Sequence, residues 1–588
     1  FAFYEKIKVP APTWCPECRF QRRLMLRNER ALYKRTCSLC QKNLLALYSS
    51  DKPQPVYCAD CWWSDKWDAI EYGKDYDFNQ PFFQQYKELL EKVPVLNLWG
   101  WDNVNTEYAS FLAHCKNVYL SFSIVIGEDV FYSYGVDKSK AIFDCFITNG
   151  SELCFENINT NRCYNTSFAI NSRDCINSSF IFDCVNCQSC FLCTGLRNKS
   201  YCIGNKQYSK EEYSERVNKI YGGSYELLLR TKEEFRLLVK NTLHKFASLT
   251  NAVNCIGDEI INSKNLKDTF IAFDSENASY CWRLAGGMKD CLDISGALKS
   301  ELVYEAVTAA SGNYFVKFYN QFKESKNCDY CILGSSNSNL FGCIGLRNKQ
   351  HCILNKQYTK ESFDKLRTKI IDHMNSMPYV DKKGRIYKYG EFFPPELSPF
   401  SYNETVAQEY FPLTKEQALE QGYSWKDPEE RNIQITLKSE QLPDNIKDVD
   451  DSILNQIIEC QHASSVALAK GDQGKCNDQC TTAFKIIPQE LEFYRKMNLP
   501  LPRLCPNCRH YQRIKQRNPL KLWHRKCMCQ GARTNADLTP TNAEKIAYQN
   551  TVAHSHGNQP CLNEFETTYS PDRPEIVYCE QCYQQEVV

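Results

Sequence analysis

Short runs of alternating apolar and polar residues dominate the middle of the chain, each cut off by Asn, Asp, Ser or Gly. Val118–Phe122, Val130–Tyr134, Ala141–Cys145, Leu153–Phe155, Cys163–Tyr164, Cys175–Ile176 and Cys187 follow one another at nearly even spacing. Short strands with polar turns between them predict β-structure stacked in coils, each coil taking about twenty-two residues. A sandwich or barrel shares these signals. The block is duplicated: Gly195-Leu-Arg-Asn-Lys199 recurs as Gly345-Leu-Arg-Asn-Lys349, and the match continues through Cys202/Cys352 to Asn205–Tyr208/Asn355–Tyr358. Helices interrupt the strands. Ser209 with Glu212 and Thr231 with Glu234 have the form of capping boxes, Thr359 starts the equivalent of the first, and a short helix is expected after Thr414.

The two ends are also copies. Phe3-Tyr4 stands before Cys15-Pro-Glu-Cys18-Arg19 as Phe493-Tyr494 stands before Cys505-Pro-Asn-Cys508-Arg509. Cys37 and Cys527 follow, and then each copy closes with a C-x2-C pair, Cys58/Cys61 and Cys579/Cys582, with Tyr48-Ser49 matching Tyr569-Ser570 on the way. The expected fold is therefore mainly β with α: a Cys-rich β-solenoid of two duplicated units with helical caps, flanked by zinc-ribbon and treble-clef modules at both ends. The expected divisions are 1–95, a zinc module with a trailing helix; 96–208 and 251–358, the two solenoid units; 209–250, a helical insertion; 359–450, a helix and an acid-rich linker; and 451–588, a double zinc module. Glu396 to Asp450 carries twelve acids against five bases, which marks the linker.

Composition bears mainly on compartment. Thirty-three cysteines in 588 residues, many in C-x2-C pairs, favour metal and a reducing, cytoplasmic setting over a disulfide scaffold. No run of eighteen apolar residues and no signal peptide is visible, so no membrane partner is expected. The net charge of +1 excludes polyanion binding by bulk charge.

A C-x2-C turn presents two thiolates to one ion, and two such turns complete a tetrahedron. Cys37, Cys40, Cys58 and Cys61 have zinc-ribbon spacing. Cys527, Cys561, Cys579 and Cys582 form the same site at the other end, where Cys529 could stand in for Cys527. His554 and His556, in the loop between, read as surface histidines. Cys476-x3-Cys480 lies upstream of Cys505 and Cys508. The run Cys476…Cys480-Thr-Thr-Ala-Phe484, Glu490-Leu-Glu-Phe493-Tyr494, Cys505-Pro-Asn-Cys508-Arg509 resembles the zinc-binding, treble-clef-like domain of small bacterial proteins. The resemblance covers about forty residues and implies one zinc on Cys476, Cys480, Cys505 and Cys508. The first pair is C-x3-C here, where the family has C-x2-C. The whole arrangement also resembles large zinc-ribbon proteins of uncultivated small-genome bacteria. About three structural zinc ions are expected. Cys15 and Cys18 are candidate ligands whose partners would precede Phe1, so truncation or a ligand from elsewhere is expected there. Cys460 and His462 read as local packing.

The remaining cysteines, ten from Cys115 to Cys202 and seven from Cys255 to Cys352, read as small apolar filling of a narrow interior. Cys184, Cys187, Cys190 and Cys193, at three-residue steps, are the alternative metal cluster, although strands would place some of them on opposite faces.

No phosphate-binding loop, H-E-x-x-H or G-x-S-x-G is present, so no catalytic residue is assigned. Asp144, Asp174 and Asp183 read as turn residues, with a solenoid carbohydrate enzyme as the weakest alternative. Arg19, Arg23, Arg27 and Arg30 recur at helical steps, as do Arg509, Arg513 and Arg517, and eleven bases with no acid lie between Arg495 and Arg533. Basic helix faces beside aromatic residues fit phosphates and unpaired bases, so nucleic acid is expected as the partner, RNA ahead of DNA. The alternatives are a protein-interaction scaffold and pairing of these arginines with acids of the same chain. Oligomeric state cannot be read from the sequence.

Overall fold

The computed structural model describes residues 1–220, 222–308, 311–427, 433–463, 479–530 and 550–587. The chain is mainly β with helices at intervals. It forms two compact units, each assembled from separated stretches. The first is Phe1–Trp99, Ala247–Pro428 and Pro519–Leu522; the second is Gly100–Phe246, Glu429–Asn518 and Trp523–Val588. Each unit therefore joins one cysteine module to one β-stack. The N-terminal module goes with the later repeat, and the C-terminal module with the earlier one.

In the second unit, strands from Gly100–Trp101 to Ser200–Ile203 pair in parallel, and the antiparallel strand Lys206–Gln207 closes the series. The register advances by twelve: Tyr164 pairs with Ile176, Ile176 with Gln188, and Gln188 with Ser200. The spacing between strands noted in the sequence is thus a whole turn of the stack, and the expected coil of about twenty-two residues is corrected to twelve. The reason is tight cornering. From Phe111 to Gly204 every third residue has a left-handed backbone, so four corners complete one turn. Asn and Asp occupy many corners because they tolerate this conformation best after Gly. Their side chains bond up the stack, as from Asn117 to Asp129 and from Asn165 to Asn177, both at 2.8 Å. Some pairings close on themselves in small barrel-like rings: Tyr134–Phe143, Phe146–Asn149, Ile158–Asn161, Tyr164–Ile170 and Glu152–Phe155 form one.

The residue after each corner points inward, where four sides leave little room. Val118, Ser121, Ile124, Val130, Ser133 and Val136 hold such positions and are all buried. A small donor–acceptor suits them well. The Ser121 hydroxyl donates to the Tyr119 carbonyl at 3.0 Å and accepts the Ser133 N–H at 2.9 Å. The Ser133 hydroxyl accepts the Cys145 N–H in turn, and the Cys145 thiol donates to the Phe143 carbonyl. Cysteine is common here because it is small, largely apolar and still able to make such a bond.

In the first unit the parallel series runs from Leu249–Phe273 to Gln350–Ile353, and the antiparallel strand Lys356–Gln357 closes it. Two turns are longer by one residue: Glu276 pairs with Lys289 and Glu301 with Tyr314. Glycines with positive φ, Gly287 and Gly312, stand in these turns, where the backbone needs a conformation that costs other residues energy.

Helices cover the stacks. Phe82, from Phe82–Lys92, packs on Tyr330 and Phe341; Phe235, from Tyr225–Asn241, packs on Phe180. The expected caps hold at Ser209, Thr359 and Thr414. Thr231 is corrected: it lies inside a helix capped by Ser224, and its hydroxyl bonds back to the Leu227 carbonyl.

Candidate metal centres

Both cysteine modules are built on the same local parts. A hairpin, Tyr33–Thr36 with Asn43–Ala46 or Trp523–Lys526 with Glu564–Thr567, precedes a short strand and the closing C-x2-C. The strand pairs in parallel with the segment after the covering helix: Val56–Tyr57 with Val95–Leu96, and Ile576–Tyr578 with Leu243–Lys245. The Arg-bearing helices Pro16–Leu24 and Pro506–Lys515 start from Cys15 and Cys505, each with proline in the first turn, where the missing N–H costs no bond.

The structure brings together Cys37, Cys40, Cys58 and Cys61, with all four sulfurs within 4.8 Å of one another. Cys40 and Cys58 sulfurs are 3.8 Å apart, close to the edge of about 3.8 Å that a tetrahedron of thiolates has around an ion bonded at about 2.3 Å. Cys527, Cys561, Cys579 and Cys582 form an equivalent group, with 3.9 Å between the Cys561 and Cys579 sulfurs. Backbone N–H groups point at these sulfurs: Cys58 N–H at Cys37, and Cys579 N–H at Cys527. The thiols divide accordingly. Burial opposes the Cys37 thiolate, but the N–H groups of Cys40, Cys58 and Leu39 bring its pKa down to about 6. Contact with Cys527 brings Cys579 down to about 4, while burial pushes Cys61 and Cys582 up. Four crowded sulfurs ionise together only around a cation.

A third group corrects the sequence reading. Cys480, Cys505 and Cys508 meet Cys460, which had read as packing. The Cys460 sulfur is 3.9 Å from Cys508 and accepts the Cys505 N–H at 3.2 Å. His462 Nδ1 lies 3.4 Å from the Cys508 sulfur. Cys476, the expected first ligand, lies outside the described residues. The strand Ile458–Glu459, paired with Ala483–Phe484, delivers Cys460, and no C-x2-C spacing announced it.

The fourth group is Cys529, His554, His556 and Cys582. Reading the two histidines as surface residues is corrected for His554, which is 5% exposed, and both rings stand against the Cys529 sulfur. The long insertion between the hairpin strands hid this in the sequence. Cys15 and Cys18 are exposed and belong to none of the four groups among the described residues.

Cys184, Cys187, Cys190 and Cys193 all point inward from successive sides of the stack, not to opposite faces, and each thiol contacts the carbonyl two residues earlier. They form no donor group among the described residues.

The arginine faces are not surfaces. Arg19 and Arg23 bond Asp293 at 2.9 and 3.1 Å, Arg22 spans Glu305 and Glu391, and Arg27 pairs with Glu29. In the other unit Arg509 and Arg513 both pair with Asp144, and Arg509 also with Glu490. Arg19, Arg23, Arg27, Arg509 and Arg513 are all buried. Arg30 is half-buried, and Arg517 lies over the Phe146 ring. Carboxylates of their own unit hold the guanidinium groups of Arg19, Arg23, Arg27, Arg509 and Arg513, so most of the basic face that suggested nucleic acid is turned into the fold. Asp144, expected as a turn residue, does sit at a corner but turns its carboxylate to the helix.

No protein family's profile matches the chain, and no curated protein matches it. Among solved structures the chain is similar to one described as a "putative acetyltransferase from Desulfovibrio desulfuricans G20", at 14% identity and a TM-score of 0.10, over 52% of this chain and 74% of that one. A likeness that weak carries no argument about fold or function. No described helix is long and apolar enough to cross a membrane.

Proposed function

We propose that the protein is a non-catalytic, zinc-stabilised scaffold of two β-solenoids, each clasped by a zinc module. The observation that carries this reading is the buried Arg–carboxylate latch between module and stack, made twice with the same helix. A nucleic-acid module would keep its basic face open. Here that face is used inside the fold, while polar ladders such as Asn165–Asn177 stay on the outside. Thiolate groups with four donors leave no open position for water, which argues against hydrolysis at these sites. Sulfur and imidazole donors suit zinc better than calcium or magnesium. Structural zinc contributes on the order of 10–16 kcal/mol in small modules, more than a loop-rich segment can draw from its own core. Ligand thiols must stay reduced, so the proposed setting is a reducing, cytoplasmic one, with protein partners on the stack faces.

The test compares partners and RNA directly. The full-length protein, purified without chelator, is expected to contain zinc, to retain protein partners after nuclease treatment, and to show no binding to single-stranded RNA at low salt by fluorescence anisotropy. RNA binding that weakens steeply with added salt would overturn the scaffold reading, because counterion release is the signature of phosphate contacts.

A further inference from the structure

The C-terminal module contains a feature that its N-terminal copy lacks. His554 Nδ1 lies 3.2 Å from the Cys529 sulfur, and His556 Nε2 lies 3.3 Å from Cys529 and 3.4 Å from Cys582. The far side of each ring is already committed. His554 Nε2 meets the Glu586 carboxylate at 2.8 Å, with both side chains fully buried, and His556 Nδ1 meets the Gln559 carbonyl at 2.7 Å. Carboxylate and carbonyl oxygens accept, so each ring donates outward and turns a lone pair towards Cys529. One thiol carries one proton and can satisfy only one of two lone pairs. The Asn550 amide, 3.2 Å away, adds a donor to the same sulfur, which suits a thiolate. A thiolate facing two imidazole lone pairs is the donor set of a cation. A carboxylate or carbonyl behind each imidazole is the arrangement that orients metal-binding histidines.

Cys582 belongs to this group and also to the group with Cys527, Cys561 and Cys579. Two four-coordinate ions need eight donor positions, and seven side chains fill them only if one is shared. We propose that Cys582 is a bridging thiolate in a dinuclear centre. One ion is held by Cys527, Cys561, Cys579 and Cys582, and the second by Cys529, His554, His556 and Cys582. Four thiolates at one position and two thiolates with two imidazoles at the other both suit a closed-shell divalent ion of the zinc group. Cys582 lies in the first turn of the helix Glu580–Val587, and Glu586 lies one turn further along it, so a single helix fixes the bridge and the partner of His554. The inference rests on reading the Cys527 group as a metal site.

The experiment uses full-length protein loaded with 113Cd(II), counting ions per chain and recording 113Cd spectra. Wild type is expected to show two resonances split by 113Cd–113Cd coupling through the shared sulfur. H554A/H556A is expected to bind one ion fewer, lose the coupling and keep the Cys527-group signal. C529S, which leaves the Cys527 group intact, is expected to do the same and serves if the double variant misfolds. Equal ion counts in wild type and both variants, or two C-terminal ions without coupling, would overturn the bridge. Complete absence of metal from the C-terminal module would instead sink the underlying metal reading.

Discussion

The helices that begin at Cys15 and Cys505 are copies of one device in different states of completion. Both dock on their stacks through arginines: Arg19 and Arg23 on Asp293 in one unit, Arg509 and Arg513 on Asp144 in the other. Their C-x2-C pairs differ. Cys505 and Cys508 are buried and closed off by Cys460 and Cys480, whereas Cys15 and Cys18 are exposed and outside every donor group among the described residues. The first unit has a larger ionic cluster instead, with Arg22 bridging Glu305 and Glu391 and Arg27 paired with Glu29. The helix therefore docks by its ion pairs whether or not a donor group closes around its thiols. The thiol donor group and the ion pairs are separable features of one contact.

Removing a single sulfur from each copy gives the largest expected contrast. C508S should release one metal ion and destabilise its unit by several kcal/mol, since the binding energy of a structural ion is also folding energy. C18S should shift stability by no more than about 0.5 kcal/mol, as an exposed substitution does. Ion counting with denaturant unfolding separates the two outcomes, and a matching loss in both variants would erase the distinction between the copies.

Next in size are the latches. Asp144→Ala and Asp293→Ala each leave two buried guanidinium groups facing a lost carboxylate, and breaking a buried pair in this way costs about 3–5 kcal/mol. The Asp293 variant should suffer more, because the carboxylate left beside Arg19, that of Glu305, stands 3.8 Å away and is already engaged by Arg22, whereas Glu490 stays 3.3 Å from Arg509 in the other unit. Thermal unfolding of the two variants side by side measures that difference.

Much of this was legible in the sequence, and its limits have physical causes. Duplicated cysteine spacings marked the Cys37 and Cys527 groups because a C-x2-C turn is a local signal. Cys460 and His554 were not legible, since each reaches its sulfurs from a distant stretch with no fixed spacing. The arginine steps correctly marked one face of each helix, but helical periodicity does not say whether a face meets solvent or acids. Asp293 and Asp144 lie hundreds of residues from their partners. Even spacing revealed repeated strands, yet the turn length was misjudged: a left-handed corner at every third residue is open to Phe, Leu and Ile as well as Asn, as at Phe168, Leu192 and Ile147, so it leaves no uniform residue signature.

The smallest of the three effects concerns the strand that ties each cysteine module to its covering helix. In the first unit Val95 stands opposite Val56; at the matching place in the second, His244 stands opposite Val577. Burial pushes the His244 pKa down to about 4, against the opposing pull of Glu575. The neutral ring is fully used, with Nε2 donating to the Val239 carbonyl at 2.9 Å and Nδ1 accepting from the Tyr569 hydroxyl at 3.0 Å. Below the ordinary histidine pKa of about 6.5, the unfolded chain takes up a proton that the folded ring refuses. Stability from this site is therefore complete above about pH 6.5 and is lost as the pH falls towards 4, by up to about 3 kcal/mol. Thiolate protonation acts in the same acid range, so the quantity to measure is the difference between wild type and H244V at each pH. That difference should change steadily between pH 6.5 and 4 and level off outside this window. A difference that stays constant with pH would mean that His244 is already charged in the fold, or that it titrates alike in both states, and the two units would then be equal in their response to acid.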